Sequence, residues 1–544
     1  MKRDKTMKKI TLFIIIVLFG FSFKIYSQLL KANENTTTSV AVKPEVSNSP
    51  ILINSQIIKA FFKKYVNLQE YQSKVSVLYE NRKFNSIWFD SDCKLLSQAS
   101  QLYSKTNSLD EEAVDACMDY QDLIDGIFNA NVNKLQLSYN ESEILLSCLY
   151  VYYVQNVYDD FDRIQLQKMG WFLQGKDLDY NDFLEALLEN PKVLDVAEKY
   201  QFSQYYKLRS ALKKYREIEK NGAWNTITFD STLQHYKPYD SCSTISQIRH
   251  RLYIMGDLEK DSKSGLYDHE LMNAVLRYKK RYGYYANYFI TPEQIKQLNL
   301  PVEDYIKKIK LNMERCRWVD PELDKAEEYI MVNIPAFKLN YVKKGQRVLE
   351  SNVVVGQDLM QTVIFSGCVK TIVFSPYWYA PQSIIDSEIK SGMSRDKNYL
   401  ESRDMEWNGG NVRQRPGPKN SMGLVKFLFP NSNDIYLHDT PSKTLFDLDY
   451  RAYSHGCINL QKSRELAHTI LKDNPDWPAD CIDWAMNRKE ESYCELQNEI
   501  PIHLAYFTAW VDEYDVLHFY DDLYGRDTQL AQLKFPKEDL LVKN

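Results

Sequence analysis

Ser454-His455-Gly456-Cys457-Ile458-Asn459, with His438 nineteen positions before the cysteine, is the stretch on which the reading of this chain turns. A free thiol has a pKa of about 8.5 and is only a few per cent thiolate at pH 7, so a nucleophilic cysteine needs a base beside it. His438 is the candidate base. It closes Asp434-Ile435-Tyr436-Leu437-His438, whose apolar alternation stops at Thr440-Pro441 and reads as a strand ending at the imidazole. Gly456, without a Cβ, lets the chain turn and lets a carbonyl approach the amides around Cys457, as an oxyanion hole requires. The pattern points to covalent cysteine catalysis.

Outward from this stretch, Ser463 to Leu471 reads as a short helix following the nucleophile loop. Upstream, from Tyr329, apolar residues alternate at Ile330, Val332 and Ile334 and then at Phe337, Leu339 and Tyr341, with Pro335 shifting the phase as at a bulge. Val348 to Val355, Val369 to Phe374, Val425 to Phe429, Ile435 to His438, Ile502 to Trp510 and Val516 to Phe519 are further strand candidates, giving a mostly-β domain over 329–530. Between Pro381 and Lys419 the pattern turns helical and then rich in Gly, Pro and Asn. That is too long for a simple connection, so a lid is expected over about 381–420. Residues 244–300 read as three helices, the last opened by Thr291-Pro292-Glu293-Gln294, a capping box with proline in the first turn. Residues 51–243 show helical periodicity, as at Ile144, Leu145, Cys148, Leu149 and Tyr152, and read as a helical scaffold. Residues 301–328 are a helical connector and 531–544 a tail.

The chain has 544 residues, a prior for three or four domains. Its 68 basic and 73 acidic residues are spread along the sequence and leave a net charge of −5, which offers nucleic acid no basic footprint. Lys8 and Lys9 precede the uncharged run Ile10 to Phe23, so residues 1–28 read as a signal peptide or an uncleaved membrane anchor, and residues 29–50 as a flexible tether. Such a leader places the folded body outside the cytoplasm. The nine cysteines include no C-x-x-C pair or zinc-ribbon spacing, so no metal or cofactor is expected.

His438 followed by Ser454-His455-Gly456-Cys457-Ile458-Asn459 resembles the signature of L,D-transpeptidases with a YkuD-type catalytic domain. Arg413-Gln414-Arg415-Pro416-Gly417-Pro418-Lys419-Asn420-Ser421-Met422-Gly423, Lys426-Phe427-Leu428-Phe429-Pro430-Asn431 and Phe374-Ser375-Pro376-Tyr377-Trp378 resemble the large YcbB-like branch. The likeness covers most of 245–530. Leu78-Tyr79-Glu80-Asn81-Arg82-Lys83-Phe84, followed by Trp88, is similar to that branch's helical scaffold. The chain departs from the branch at Tyr379, where a small polar residue is usual. It departs also at Ala286-Asn287-Tyr288, where an Asp-Gly turn is usual in the three-helix module.

The resemblance implies a multidomain α+β architecture: helical scaffold, small three-helix peptidoglycan-binding-like module, and mostly-β catalytic domain with a lid insertion. The module either binds sugar or peptide or serves as a spacer. The implied reaction is peptidoglycan cross-linking in the periplasm, with tetrapeptide stems as donors, second stems as acceptors, and the cell-wall synthesis machinery as a candidate partner. Cys457 would attack the carbonyl before the terminal D-alanine, and a carbapenem would acylate it. His438 would act as base and backbone amides near Gly456 would hold the oxyanion. His455 would orient substrate or loop. Tyr436, Trp378, Met422 and Gly423 are candidate pocket walls, joined by Ser454 and Asn459. Asp439 contributes either at the substrate or through its backbone carbonyl to His438. Carboxypeptidase activity, exchange of an amino acid or lipoprotein on the same acyl-enzyme, a zinc site from His438, Asp439, His455 and Cys457, and a noncatalytic wall-binding scaffold remain as alternatives.

Overall fold

A computed structural model describes residues 52–535, except 115–117, 130–136, 160–162, 173–177, 195–199 and 223. The expected signal peptide or anchor and the tether lie outside the described residues. Among those described, no helix is long and apolar enough to cross a membrane.

The N-terminal helices wrap around Tyr139–Val157, which starts at a Ser138/Glu141 capping box and is buried over most of its length. Burying a helix on all sides normally excludes charge, yet Glu143 is fully buried. Its carboxylate is satisfied locally, accepting from the Trp88 amide, the Ser86 hydroxyl (3.0 Å) and the Tyr79 phenol (3.1 Å). Trp88 completes the knot with a 2.8 Å bond to Ser147. Tyr79 and Trp88 of the scaffold-like fragment are thus held in one buried knot.

The three-helix unit forms at Ser243–Met255, His269–Tyr282 and Pro292–Leu298, and the Thr291/Gln294 box is made in full. Val302–Arg317 then threads between units. Its Arg317 donates to the Glu112 carbonyl at 2.7 Å, and its Arg315 pairs with Asp527 at 2.6 Å. Trp318 meets Trp171 edge to face at 4.8 Å. That helix ties scaffold to catalytic body.

The β-domain is built from β2 (Glu328–Asn333), β3 (Lys338–Lys343), β4 (Gln346–Gly356), β5 (Ile364–Phe374), β9 (Val425–Leu428), β10 (Leu437–His438), β12 (Ile458–Leu460) and β13 (Ser492–Ala505). Their order β5-β13-β2-β3-β4-β12-β10-β9, with β9 pairing back to β5, closes the sheet. β11 (Ala452–Ser454) pairs with the end of β4, and β1 (Trp171–Phe172), from the N-terminal region, adds parallel to β5. Closure leaves one face for a shared core of Ile330, Val332, Val353, Ile372, Leu437, Ile458 and Leu460.

Three expectations change. Pro335 lies not at a bulge but in a tight turn over 334–337, because β2 and β3 pair antiparallel as a hairpin and Phe337 takes a positive φ of 52°. The run Ile502 to Trp510 is two strands, β13 and β14 (Ala509–Val511), the latter pairing with β15 (Leu517–Phe519). Residues from 531, expected as tail, are packed as far as the structure describes them: Arg526–Lys534 is a helix whose Leu530 and Ala531, with Phe535, enter the core.

Between β5 and β9 stands a separate small body. β6 (Trp378–Tyr379), β7 (Met405–Asn408) and β8 (Asn411–Gln414) form a three-stranded sheet beside a broken helical run over Gln382–Arg395. It has its own core of Ala380, Ile385, Ile389, Met405 and Val412. Asn420 fastens its base, donating to the carbonyls of Pro376 (2.9 Å) and Arg415 (2.9 Å). This body spans the stretch read as a lid.

Candidate active site

β10 and β12 run parallel with Leu437 beside Ile458 and His438 beside Asn459. Side chains alternate across a strand, so Leu437, Ile458 and Leu460 enter the core while Tyr436, His438, Cys457 and Asn459 share the opposite face. A one-residue slip would expose the three core side chains, each contributing about 1.5–3 kcal/mol by burial. Hydrophobic burial therefore sets the register that puts Cys457 and His438 on one face of the sheet. With strands about 4.8 Å apart and a two-residue step of about 6.6 Å, the Cα atoms of Cys457 and His438 stand roughly 8 Å apart on a diagonal, a span the two side chains can close.

His438 is buried, and its Nδ1 lies 2.6 Å from the Asp439 carbonyl. A carbonyl can only accept, so Nδ1 carries the proton and Nε2 is left as the basic nitrogen. Burial, reinforced by the nearby Lys426 and Lys443 charges, holds the imidazole down at about 4, against the pull of Asp439. The Cys457 thiol donates to the Asp434 carbonyl at 3.6 Å. Burial raises its pKa above the ordinary thiol range, and hydrogen bonds from the Tyr436 backbone and phenol partly offset the rise. The resting pair is therefore neutral. Desolvation disfavours both charges, thiolate and imidazolium.

Asp439, one of the residues expected against substrate, has its carboxylate fully engaged inside the protein. It accepts from the Leu424 amide (2.9 Å), the Ser463 hydroxyl (2.8 Å) and Lys443. Gly423, at φ +60°, faces that carboxylate so closely that a Cβ would collide with it. Asp439 and Gly423 thus brace the wall behind His438.

Around the nucleophile, Ser454 Oγ accepts the Gly456 amide at 3.2 Å and donates to the Cys457 carbonyl at 2.5 Å. Gly456 adopts φ +108°, open to glycine and strained for other residues. Its carbonyl accepts from Thr362 Oγ1 at 2.9 Å, and Tyr524 OH, which takes the Thr362 amide, donates to the Gly356 carbonyl at 2.6 Å. Ser454 is accordingly a loop clasp, and the Gly456 amide is occupied instead of free for an oxyanion. His455 is half exposed, with Nε2 4.0 Å from Glu388 of the lid body. Asn459 Oδ1 is buried without a protein partner, beside His438.

Two of the expected walls have partners of their own. Trp378 packs into the lid body's own core, and Met422 is buried with its amide on Asn420 Oδ1 at 2.7 Å. Among the described residues no group of three His, Cys, Asp or Glu is arranged to hold a metal, and His438 Nδ1 and the Cys457 thiol are directed at carbonyls. Sequence reasoning missed Glu388, Thr362, Tyr524 and Lys426. Only Lys426 had a signal: it alternates with buried Val425 and Phe427 and is the register partner of His438.

Comparison with known proteins bears on this arrangement. Residues 327–477 match the L,D-transpeptidase catalytic domain family, and residues 73–212 match a scaffold domain family. A Haemophilus influenzae protein provisionally named an L,D-transpeptidase is 31% identical over 245 residues, covering 41% of this chain and 49% of its own length. The chain thus spans about half the length of that curated relative. A crystal structure of an L,D-transpeptidase from Stackebrandtia nassauensis is 14% identical with a TM-score of 0.21, covering 52% of this chain and 96% of that one. One from Xylanimonas cellulosilytica is 13% identical with a TM-score of 0.17, covering 50% and 98%.

Proposed function

We propose that this chain, which carries an L,D-transpeptidase catalytic domain behind a scaffold domain, cross-links peptidoglycan stem peptides through an acyl-enzyme on Cys457. The observation that supports it most is the shared face of β10 and β12, which carries Cys457 and, on the diagonal, a histidine whose protonated nitrogen is fixed by the Asp439 carbonyl.

In the first half-reaction Cys457 Sγ bonds to the carbonyl carbon before the terminal D-alanine of a tetrapeptide stem. His438 Nε2 takes the thiol proton and passes it to the departing D-alanine nitrogen as the C–N bond breaks. In the second, the side-chain amine of a second stem attacks the thioester. A new C–N bond forms, the C–S bond breaks, and the amine proton returns through His438 to sulfur. With the Gly456 amide on Ser454, the Cys457 amide is the backbone donor left to face the oxyanion, and Tyr436 OH, beside the sulfur, is a second. Neutral thiol and neutral imidazole suit proton transfer in step with attack. The lid body encloses the donor chain.

Incubating the protein with a tetrapeptide stem and analysing products by mass spectrometry tests this. A 3-3 linked dimer with release of D-alanine is expected. Tripeptide alone would show water as the acceptor, making the chain a carboxypeptidase, and an unchanged tetrapeptide would overturn the proposal.

A further inference from the structure

Lys426 is the register partner of His438 on the neighbouring strand. Along β9, Val425 and Phe427 are buried while Lys426 and Leu428 are partly exposed, so alternation turns Lys426 to the side of the sheet that carries the base. Directly opposite residues on antiparallel strands have Cβ atoms about 4.5–5.5 Å apart. The ammonium is close enough for its charge to be felt at the imidazole, where it opposes a second positive charge. One face therefore carries, strand by strand, Cys457 at the start of β12, His438 on β10 and Lys426 on β9.

A largely buried ammonium is stable only where anions face it. The Lys426 side chain is 15% exposed, and Glu491 Oε1 stands 3.6 Å from its Nζ, beyond hydrogen-bond length. The Glu491 oxygens are committed elsewhere, Oε1 to the Tyr377 amide and Oε2 to the Tyr493 hydroxyl, each at 2.6 Å. Glu491 thus steadies the ammonium by charge and leaves its N–H donors to a ligand. Lys443, the other cation near His438, is taken by the Asp439 carboxylate. At the Cys457 end the sign is reversed, since the charge of Asp434 opposes the thiolate.

Acyl transfer at Cys457 fixes the order of three groups on the donor stem. The scissile carbonyl carbon meets the sulfur, and the D-alanine nitrogen meets His438 Nε2. The terminal carboxylate follows, roughly 3–4 Å from the carbonyl carbon by standard bond lengths. Strands about 4.8 Å apart and the four-carbon stem of lysine present nucleophile, base and cation in that same order. We propose that Lys426 is a specificity-determining residue of this site: its ammonium binds the free carboxylate of the donor's terminal D-alanine and selects stems that end there over stems extended or capped at that point. The inference rests on Cys457 as the nucleophile and adds a residue that neither attacks nor moves a proton. Glu491 acts through Lys426, as a positioning residue.

The test compares kcat/KM for release of the C-terminal residue from two tetrapeptide stems, one ending in D-alanine and one in D-alaninamide, using the full chain and Lys426→Met. The parent should favour the free acid by ~10-fold or more, as for a hydrogen bond between charged groups. Lys426→Met should abolish most of that preference, and Lys426→Gln replaces it should the methionine variant not fold. Taking the ratio of the two peptides in each protein cancels the effect of the amide on the leaving amine, and a merely structural role for Lys426 would lower both rates and leave the ratio alone. Equal kcat/KM for acid and amide in the parent, or an undiminished preference in the folded variant, overturns the role of Lys426 and leaves acyl transfer through Cys457 standing. A parent that turns over neither peptide overturns that chemistry, and this inference with it.

Discussion

The ring of His438 is locked to the carbonyl of its own neighbour, Asp439, through a 2.6 Å bond from Nδ1, while the Asp439 side chain reaches the other way to Leu424, Ser463 and Lys443. One residue therefore fixes the base by its backbone and the supporting wall by its carboxylate. Asp439→Ala would leave the Leu424 amide and Ser463 hydroxyl unpaired in the interior. Charge-assisted hydrogen bonds of this kind contribute about 1.5–3 kcal/mol each, so a loss of about 3 kcal/mol or more is expected in urea unfolding, with a parallel drop in turnover. A stable variant with unaltered turnover would show that the carboxylate braces nothing.

Gly423→Ala should resemble that variant, since its Cβ collides with the same carboxylate at a backbone φ of +60°. A loss of about 2 kcal/mol or more is expected, larger than the ~1 kcal/mol typical of point changes. In a Gly423→Ala/Asp439→Gly double variant the colliding side chain is gone, so the costs of the two single changes should be less than additive.

The neutral resting pair has a kinetic signature. With the thiol raised above its ordinary range and His438 held at about 4, alkylation of Cys457 by iodoacetamide should climb steadily with pH and show no plateau between 5 and 8. His438→Ala should barely move that profile, yet cut acylation by a stem peptide by about 10²–10⁴ near pH 7. A plateau below pH 7 in the parent, lost on removing His438, would reveal a preformed thiolate–imidazolium pair.

Acid stability follows from the same histidine. Its folded pKa of about 4 lies below the ordinary 6.5, so the folded state binds the proton less readily than the unfolded chain. The contribution is fully present above pH 6.5 and is lost as pH falls toward 4, at most about 3 kcal/mol. His503, also held at about 4 by burial, adds to the fall. Urea midpoints measured from pH 7 to 4 should drop, and less steeply in His438→Gln.

The nucleophile and base were legible because both sit on one short strand pair whose alternation is plain: Tyr436, Leu437, His438 against Cys457, Ile458, Asn459. Asp439 was legible through its backbone and misplaced through its side chain, since three donors from Leu424, Lys443 and Ser463 converge only in the folded chain. Thr362 and Tyr524, which buttress Gly456, are distant in sequence and carry no local pattern. The hairpin β7–β8 was hidden because a Gly/Pro/Asn-rich stretch reads as loop, although Met405 and Val412 build a small core there. Pro335 looked like a bulge because a four-residue turn also shifts alternation.

Detachment of the lid body gives a further test. Asn420→Ala frees the carbonyls of Pro376 and Arg415 that close its base. Turnover of cross-linkable stem peptides should fall several-fold more than iodoacetamide reactivity, because a lid orders substrate and does not make the nucleophile. Equal losses would place Asn420 in the catalytic core.

The most direct measurement is the intact mass of the protein after exposure to a carbapenem, compared between the parent and Cys457→Ala. The alanine variant should keep its fold, since only a small group is removed. A gain of one drug mass in the parent and none in the variant is the expected result. An adduct that persists without the thiol, or a folded parent that never acquires one, would contradict acyl transfer through Cys457.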